Sequence, residues 1–358
     1  MYLKTSPVFY RCGKGNSELL FHPFSITGEN EEAQFRAAYI CDEMTWQDFH
    51  HCSDSIFLHP KIWKKQMSRF HPSILFCESA WSGIDPFRNV WRGRIYRDRR
   101  VPFENRDILL DILEYCRQNR IITVFWNKED PVYFDHDIYD FTDTAMRFDH
   151  IFTTAAECIV RYQQMGHKSV HLLPFGVNTA MFHPATEKQR ANSALFAGSW
   201  FGDHIKRCKE LEALLDYALA QGWKLDIYDR NSGSPEKRFQ FPKKYAAYLH
   251  PAVPFTKMPE IYRQYKYAIN VNTVVESSTM ISRRVLQLAA CGVTIVSNES
   301  MGFEALKDCL EIWRESPSGP VFAVGIPQAI AAHSTENQFR HIQEVVMAVS
   351  PEQSPAPL

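Results

Sequence analysis

The sequence predicts an α/β protein of two Rossmann-like domains with parallel sheets that face each other across a cleft. Short apolar runs alternate with helical stretches, and this alternation stops once, around 177–192, where Pro, Asn, Thr and charged residues gather. Strands that alternate with helices indicate βαβ units and therefore a parallel sheet. A chain of 358 residues is also long enough for two cores of ordinary size.

The pattern places predicted strands at 36–43, 73–81, 121–127, 150–155 and 169–176, and helices at 61–70, 105–119, 137–147 and 157–166. After the interruption, strands are predicted at 193–200, 224–230, 267–272 and 293–299, and helices at 205–222, 258–265 and 282–292. We expect an irregular extension (1–35), an acceptor domain (36–178), a linker (179–192), a donor-nucleotide domain (193–335), and a closing helix with a flexible tail (336–358). The closing helix has room to cross back to the first domain.

Composition argues against several classes of partner. Lys and Arg number 40 and Asp and Glu number 41, so no global field attracts nucleic acid or a membrane surface. The opening MYLKTSPVFYRC lacks a leader pattern, and no apolar run reaches about 18 residues. We expect a cytoplasmic protein that does not bind nucleic acid, with at most peripheral contact at the inner membrane face. Nine scattered cysteines without a CxxC pair predict no metal site and no bound cofactor.

Two segments of the second half are typical of phosphate binding. In FAGSW, Gly198 and Ser199 end a strand just before a helix, and Arg207 lies in the first turns of that helix. Bare backbone N–H groups and the positive helix terminus suit an anion at such a turn. The alternative is a plain strand-to-helix turn with solvated cations.

The stronger signal is NVNTVVESSTMISRRVLQLAACG (270–292), where a strand ends, a polar loop follows, and a helix begins. Hydroxyl groups, backbone amides and a forked cation there can bind a diphosphate, and Arg284 and Gln287 share a helix face. The donor-binding candidates from this segment are Asn272, Ser278, Thr279, Met280, Arg284 and Gln287. The alternative makes the hydroxyls helix caps and the arginines solvent-facing residues.

The same segment, continued to VTIVSNES, resembles CgeB-like (spore maturation type) glycosyltransferases, which are related to glycosyltransferase family 4. The resemblance extends to ESAW (78–81), FWNKEDP (125–131), FDHIFTT (148–154) and LPFGVNTAMFHP (173–184). It implies the GT-B fold, a nucleoside-diphosphate sugar as donor, retention of the anomeric centre, and catalysis without a bound metal. Family 4 usually places a ribose-binding glutamate where this chain has Gln287, and a second glutamate where it has Thr279.

The first half supplies candidates for the acceptor side. Glu78, Glu129 and Asp130 end predicted strands, where a carboxylate can orient a hydroxyl or take its proton. Trp81 follows one of these strands, and Arg88 and Trp91 begin an arginine-rich, aromatic stretch at 87–103. That stretch suits a sugar phosphate, a lipid-linked acceptor or anionic headgroups, or it is a surface loop packed on its own aromatics.

The sequence therefore predicts transfer of a glycosyl group from a nucleoside-diphosphate sugar to a hydroxyl of a glycan, lipid-linked or protein-borne acceptor. Two alternatives stay open. One is a non-catalytic sugar-nucleotide-binding or partner subunit, since the acidic pair of family 4 is missing. The other is a nucleotide-sugar epimerase of the same fold.

Overall fold

The computed structural model of the chain describes residues 35–84, 89–185 and 190–348. The N-terminal extension and the tail after 348 lie outside these ranges. Within them, no helix is both long enough and apolar enough to cross a membrane.

The first half forms a parallel six-stranded sheet in the order β2-β1-β3-β5-β7-β8. Its elements are β1 (Arg36–Ile40), α1 (Glu43–Phe49), β2 (Asp54–Phe57), α2 (Trp63–Phe70), β3 (Ile74–Glu78), β4 (Arg97–Asp98), α3 (Asp107–Gln118), β5 (Ile122–Asn127), β6 (Tyr139–Asp140), α4 (Phe141–Ala145), β7 (His150–Thr153), α5 (Ala156–Gln164) and β8 (Val170–Leu172). β4 and β6 pair separately as a small antiparallel ribbon. We call this sheet and its helices the first domain.

The second half forms a seven-stranded sheet in the order β11-β10-β9-β12-β13-β15-β14. Its elements are β9 (Arg190–Gly198), α6 (Ile205–Ala220), β10 (Lys224–Asp229), β11 (Leu249–His250), α7 (Met258–Tyr262), β12 (Tyr265–Asn270), α8 (Arg284–Ala290), β13 (Thr294–Ser297), α9 (Met301–Glu304), β14 (Leu310–Arg314), β15 (Val321–Gly325), α10 (Pro327–Ile330) and α11 (Thr335–Ala348). Short 3-10 helices span His50–Cys52, Lys237–Phe239, Lys243–Tyr248, Phe255–Lys257 and Ala331–His333. We call this sheet with α6–α10 the second domain.

The two parallel sheets confirm the predicted fold class, an α/β protein of two Rossmann-like units. One feature departs from it, because β15 and β14 extend the second sheet in antiparallel fashion beyond β13. β14 lies at the edge and buries little beyond Leu310, so its sequence carries no apolar run that would predict a strand. Each sheet has apolar side chains on both faces, as expected for parallel strands covered by helices.

The chain crosses between the domains twice, and the two crossings pair with each other. The Val177 N–H donates to the His333 carbonyl at 3.0 Å, and the Thr335 N–H donates to the Val177 carbonyl at 3.1 Å. Beyond this point α11 packs on the first domain, where Phe339 and Ile342 join the buried cluster that contains Trp126. The carboxyl ends of the parallel strands of both domains consequently face one cleft.

Candidate functional site

Direct contacts across the cleft define how the domains meet. The Thr279 hydroxyl donates to the Thr154 carbonyl at 2.9 Å and accepts from the Ala156 N–H at 2.9 Å. Arg283, at the start of α8, binds Asp48 and Thr45 of α1, each at 3.1 Å. These contacts fix the start of α8 against the first domain.

Two arginines of the second domain bind Ser199, which follows β9. Arg207 Nη1 donates to the Ser199 carbonyl at 3.1 Å, and Arg230 Nε donates to the Ser199 hydroxyl at 3.2 Å. Ser199 and Arg207 are largely buried, whereas Arg230 is exposed. The turn after β9 is therefore built around two guanidinium groups.

Arg284 completes this group from the first turn of α8. Its guanidinium carbon lies 5.0 Å from the ring centroid of Phe196, a side chain of β9. A Cβ added to Gly198 would lie 2.7 Å from Arg284 Nη2, so only glycine leaves space for the guanidinium at that distance. The third arginine thus reaches the end of the same strand.

Electrostatics distinguish this arginine cluster (Arg207, Arg230 and Arg284) from the ion-paired arginines elsewhere in the protein. Burial, together with the charges of Arg284 and Arg230, lowers the pKa of Arg207 to about 10. Burial also lowers the pKa of Arg284. The pKa of Arg230 is lowered as well: its side chain keeps contact with solvent but is surrounded by protein, so partial loss of hydration acts first and the charge of Arg284 adds to it. In 35–84, 89–185 and 190–348, none of the three forms an ion pair with a carboxylate. Three mutually repelling cations in one pocket suit a ligand with several negative charges.

Gln287, one turn along α8, is buried and only partly bonded. Its side chain is 3% exposed, and its Nε2 has no hydrogen-bond partner among the described residues. A buried amide N–H without a partner costs free energy unless a ligand or water accepts from it. Gln287 therefore has an unused donor on the helix that carries Arg284.

Asn272 belongs to a buried polar network and not to an open surface. Its Oδ1 accepts from the Asn270 side chain at 3.2 Å and from the Ser282 N–H at 3.0 Å. Its own N–H donates to Asn298 at 2.8 Å. The side chain predicted to bind the donor instead holds the ends of β12 and β13 together and orients the approach to α8.

The loop before α8 also departs from the predicted roles. Thr279 uses its hydroxyl in both directions at the domain contact, and Met280 packs against the first-domain core, so we no longer propose either side chain as a phosphate ligand. Ser278 is exposed. It lies on a cavity of about 440 Å³ between the two domains, lined by Pro131, Ala156, Glu157, Val274, Glu276, Ser277, Ser278 and Met301.

Two of the three first-domain carboxylates are inaccessible. Glu78 is 0% exposed and accepts hydrogen bonds from the Asp42 N–H, the Thr45 hydroxyl and Lys128. Its charge is balanced internally, with Lys128 Nζ at 3.2 Å. Glu78 therefore supports the cleft wall and does not reach a substrate in this structure.

Asp130 is likewise 0% exposed. It accepts from Asn127 at 2.8 Å, from the Thr153 hydroxyl at 2.7 Å and from the Tyr162 hydroxyl at 3.2 Å. Burial raises its pKa to about 7 despite the hydroxyl donors. This network fixes the turn after β5, so we interpret Asp130 as a positioning residue for its neighbour Glu129.

Glu129 is the remaining carboxylate, and it is partly exposed at the cleft. Its Oε1 accepts from the Trp81 indole N–H at 3.0 Å. Burial raises its pKa above the usual value, although Lys128 and the Trp81 N–H oppose this. Its negative charge opposes the lowering of the Arg230 pKa, and Arg230 belongs to the second domain.

The residues predicted to bind the acceptor also differ in their exposure to solvent. Trp81 is partly exposed, but Trp91 is 0% exposed and donates its indole N–H to the Leu58 carbonyl at 2.8 Å. The ring of Trp91 is part of the buried core, so Trp91 is not an acceptor-binding residue in this structure. Arg88 lies outside the described residues.

Two arginines of the arginine-rich stretch are ion-paired with acids. Arg99 pairs with Asp135 and Asp140, each at 2.6 Å, and Arg100 pairs with Asp98 at 2.6 Å. This part of the stretch is therefore not a free cationic surface. Within the parts of the chain that the structure describes, no three His, Cys, Asp or Glu side chains are grouped to hold a metal ion.

Sequence reasoning missed Arg230 and the role of Arg283. Arg230 directly follows β10, and a cation at the carboxyl end of a parallel strand was a usable signal. For Arg283, the sequence gives two adjacent arginines and no indication of which one faces the first domain. The structure assigns Arg283 to the domain contact and Arg284 to the arginine cluster.

One family model matches part of the second domain. Residues 207–312, which include all three cluster arginines, match a family model described as glycosyl transferase-like. No protein of curated function matches the chain at a significant level.

Similar solved structures include an alpha-glucosyltransferase in complex with UDP, with a TM-score of 0.48, 11% identity, and coverage of 88% of this chain and 91% of that chain. A glycosyltransferase from Rickettsia africae ESF-5 has a TM-score of 0.41, 9% identity and coverage of 88% and 94%. A UDP-GlcNAc 2-epimerase from Neisseria meningitidis bound to UDP-GlcNAc has a TM-score of 0.41, 10% identity and coverage of 87% and 92%. Because these TM-scores are low, we base no argument about activity on these structures.

Proposed function

We propose that this protein is a glycosyltransferase that moves a sugar from a nucleoside-diphosphate sugar to a hydroxyl acceptor. The observation that carries the proposal is the arginine cluster, whose three guanidinium groups meet at the end of β9 without an ion-pair partner in the described residues. A diphosphate offers the negative charge and the multiple acceptor oxygens that such a group requires. The glycosyl transferase-like match over residues 207–312 supports the same assignment.

In the proposed mechanism, the cluster binds the diphosphate and stabilises the negative charge that develops on it as the glycosidic bond breaks. Groups that are already oriented in a partly dry pocket stabilise such charge better than water does. We assign the Nε2 of Gln287, which has no hydrogen-bond partner among the described residues, to the ribose of the nucleotide. Gly198 and Ser199 shape the pocket by leaving room for Arg284 and by binding Arg207 and Arg230.

On the acceptor side, we assign Glu129 to orient the acceptor hydroxyl and to take its proton. Its raised pKa makes it a stronger base than an exposed carboxylate, and the Trp81 N–H fixes one oxygen. Within the described residues, the other oxygen has no protein hydrogen-bond partner. It is therefore the atom available to a substrate hydroxyl.

Two finer features of the proposal, retention at the anomeric centre and independence from a bound metal, come from the resemblance to CgeB-like enzymes. A cytoplasmic location with at most peripheral membrane contact is proposed from the sequence alone. The domain limits 36–178 and 193–335 are part of the same proposal.

The test begins with thermal unfolding in the presence of UDP, GDP, ADP, CDP and TDP and the corresponding sugar nucleotides. A ligand at 100 times its dissociation constant raises the free energy of unfolding by about 2.7 kcal/mol, which selects the base. The selected donor is then incubated with saccharide acceptors, with and without EDTA, and free diphosphate and glycoside are measured. Release of diphosphate with glycoside formation in EDTA supports the proposal. Binding without turnover identifies a binding subunit, and an altered sugar nucleotide without any acceptor identifies an epimerase.

A further inference from the structure

An aromatic cluster lies beside Glu129, on the first-domain side of the cleft. The ring of Trp81 is surrounded by four others, with centroid distances of 5.5 Å to Tyr96, 5.4 Å to Tyr133, 5.3 Å to Tyr139 and 5.2 Å to Phe141. The last three are inclined by 73°, 79° and 83° to the indole plane, so Trp81 is held in one orientation. Binding of a ligand to the Trp81 ring therefore costs little side-chain entropy, because the ring is already fixed.

Trp81 and Tyr133 of this cluster remain partly exposed. The indole N–H of Trp81 donates to Glu129 and does not point into the core. The apolar indole ring and the Glu129 carboxylate that it orients therefore lie on one surface. Glu129 is two residues from Pro131, which lines the cavity between the two domains. The surface therefore lies at the cleft.

We propose that the acceptor is a saccharide whose pyranose ring stacks on Trp81, while Tyr133, inclined by 73° to the indole, contacts the edge of the sugar; we call these two rings the platform. This inference rests on the proposed function and adds the substrate class. One face of a pyranose carries C–H groups that match the electron-rich face of an aromatic ring. A carboxylate oxygen beside that ring accepts from a sugar hydroxyl, and Glu129 supplies it.

Two arginines beside the platform are already ion-paired and are not free to bind a polyphosphate or a nucleic acid. Arg100 lies 5.1 Å from the centroid of Tyr139, but its guanidinium is paired with Asp98. Arg99 is paired with Asp135 and Asp140. Cations that are already neutralised add little attraction for phosphate groups.

The experiment measures saccharide binding and transfer separately. Saturation-transfer difference NMR is recorded on the full chain with the methyl glycosides of glucose, galactose, mannose and N-acetylglucosamine, with and without the selected nucleoside diphosphate. Glycerol and N-acetylserine methylamide serve as hydroxyl acceptors without a pyranose ring. The variants are Trp81→Leu, Trp81→Phe and Tyr133→Leu, and the control is Val132→Ala, an exposed neighbour in the same loop.

We expect saturation of the pyranose ring protons in the native protein and its loss in Trp81→Leu and Tyr133→Leu. In transfer assays the KM for the saccharide should rise about tenfold in both variants, because a stacked ring contributes roughly one order of magnitude in affinity. Trp81→Phe should keep part of the binding, and the dissociation constant of the nucleoside diphosphate should stay within about twofold, because the platform does not touch the arginine cluster. Val132→Ala should match the native protein.

Unchanged saccharide binding in a folded Trp81→Leu and in Tyr133→Leu would overturn the platform. Equal or better use of N-acetylserine methylamide would overturn the substrate class. Because NMR binding needs no donor, these results are distinct from a failure of the proposed function, which appears as absent binding of every nucleoside diphosphate.

Discussion

Replacing Asp130 by Asn tests whether this buried carboxyl supports the turn after β5 or takes part in catalysis. Asp130 is 0% exposed, and three side chains donate hydrogen bonds to it, but none of them is a cation. An Asn side chain has nearly the same shape and can keep hydrogen bonds to Asn127 and to the hydroxyls of Thr153 and Tyr162. Asp130→Asn should therefore preserve the turn while removing the charge.

The magnitude follows from the pKa of about 7, compared with 3.8 for an ordinary aspartate. A shift of about 3 pKa units corresponds to roughly 4 kcal/mol, at about 1.4 kcal/mol per unit. Because the folded pKa is raised, the favourable contribution is complete below about pH 4 and is lost as the pH rises through 7. About a third of this contribution is already lost at pH 5, so the free energy of unfolding of Asp130→Asn, relative to the native protein, should increase from pH 5 to pH 8 by about 2–3 kcal/mol.

Urea unfolding of both proteins at pH 5, 6, 7 and 8 measures this difference. Subtracting the free energy of unfolding of the native protein from that of the variant cancels the titration of other groups such as Asp48. In transfer assays Asp130→Asn should retain activity within about tenfold of the native enzyme, whereas Glu129→Gln should lose about 100-fold or more. A stability difference that does not change with pH would contradict the assigned pKa. Loss of activity in Asp130→Asn equal to that in Glu129→Gln would contradict its positioning role.

Three further outcomes are expected. Gly198→Ala should weaken binding of the nucleoside diphosphate by about tenfold in calorimetry, because the added Cβ would lie 2.7 Å from the Arg284 guanidinium. Native affinity would show that the close contact between Gly198 and Arg284 is not needed for binding. Arg283→Met should lower the free energy of unfolding at pH 8 by about 3–5 kcal/mol, because Asp48 is left buried without its cation. The double variant Arg283→Met with Asp48→Asn should recover much of this stability, and no recovery would refute the pairing. Trp91→Ala should cost about 3–5 kcal/mol in urea unfolding, and a change in acceptor KM at unchanged stability would restore Trp91 as a binding residue.

The fold could be predicted because its main strands are buried on both faces and appear as apolar runs. ILFCE at β3 and ITVFWN at β5 lie in such runs, and the strand ends then follow from the first polar residues. β14 escaped prediction because it pairs antiparallel at the edge, where LEIWR is largely solvent-facing. β15 lies inside the sheet between β13 and β14, and its apolar run VFAVG was a usable signal that the prediction missed. Residues 139–140 were assigned to a helix, but they pair with 97–98 through contacts that are distant in sequence.

The site could be predicted only where a local pattern determines what a side chain faces. Arg207 and Arg284 were found because each follows a strand end and lies in the first turns of a helix. Thr279 was misassigned because the sequence does not show that its hydroxyl meets the first domain, over 120 residues away along the chain. The sequence also does not show that Trp91 is buried while Trp81 is partly exposed, because tertiary packing and not a local pattern decides their exposure.

The central claim, that a nucleoside diphosphate binds at the arginine cluster, is tested most directly by titration calorimetry. The nucleoside diphosphate selected by thermal unfolding is titrated into the native protein, Arg284→Gln and Gln287→Ala, with Arg314→Gln as a control for loss of an arginine elsewhere in the second domain. Losing hydrogen bonds between charged groups costs about 1.5–3 kcal/mol, so Arg284→Gln should bind roughly 10- to 150-fold more weakly. Gln287→Ala should lose less, since its bonds are neutral, and Arg314→Gln should bind normally. Native affinity in a folded Arg284→Gln would show that the diphosphate binds elsewhere and would contradict the proposed site.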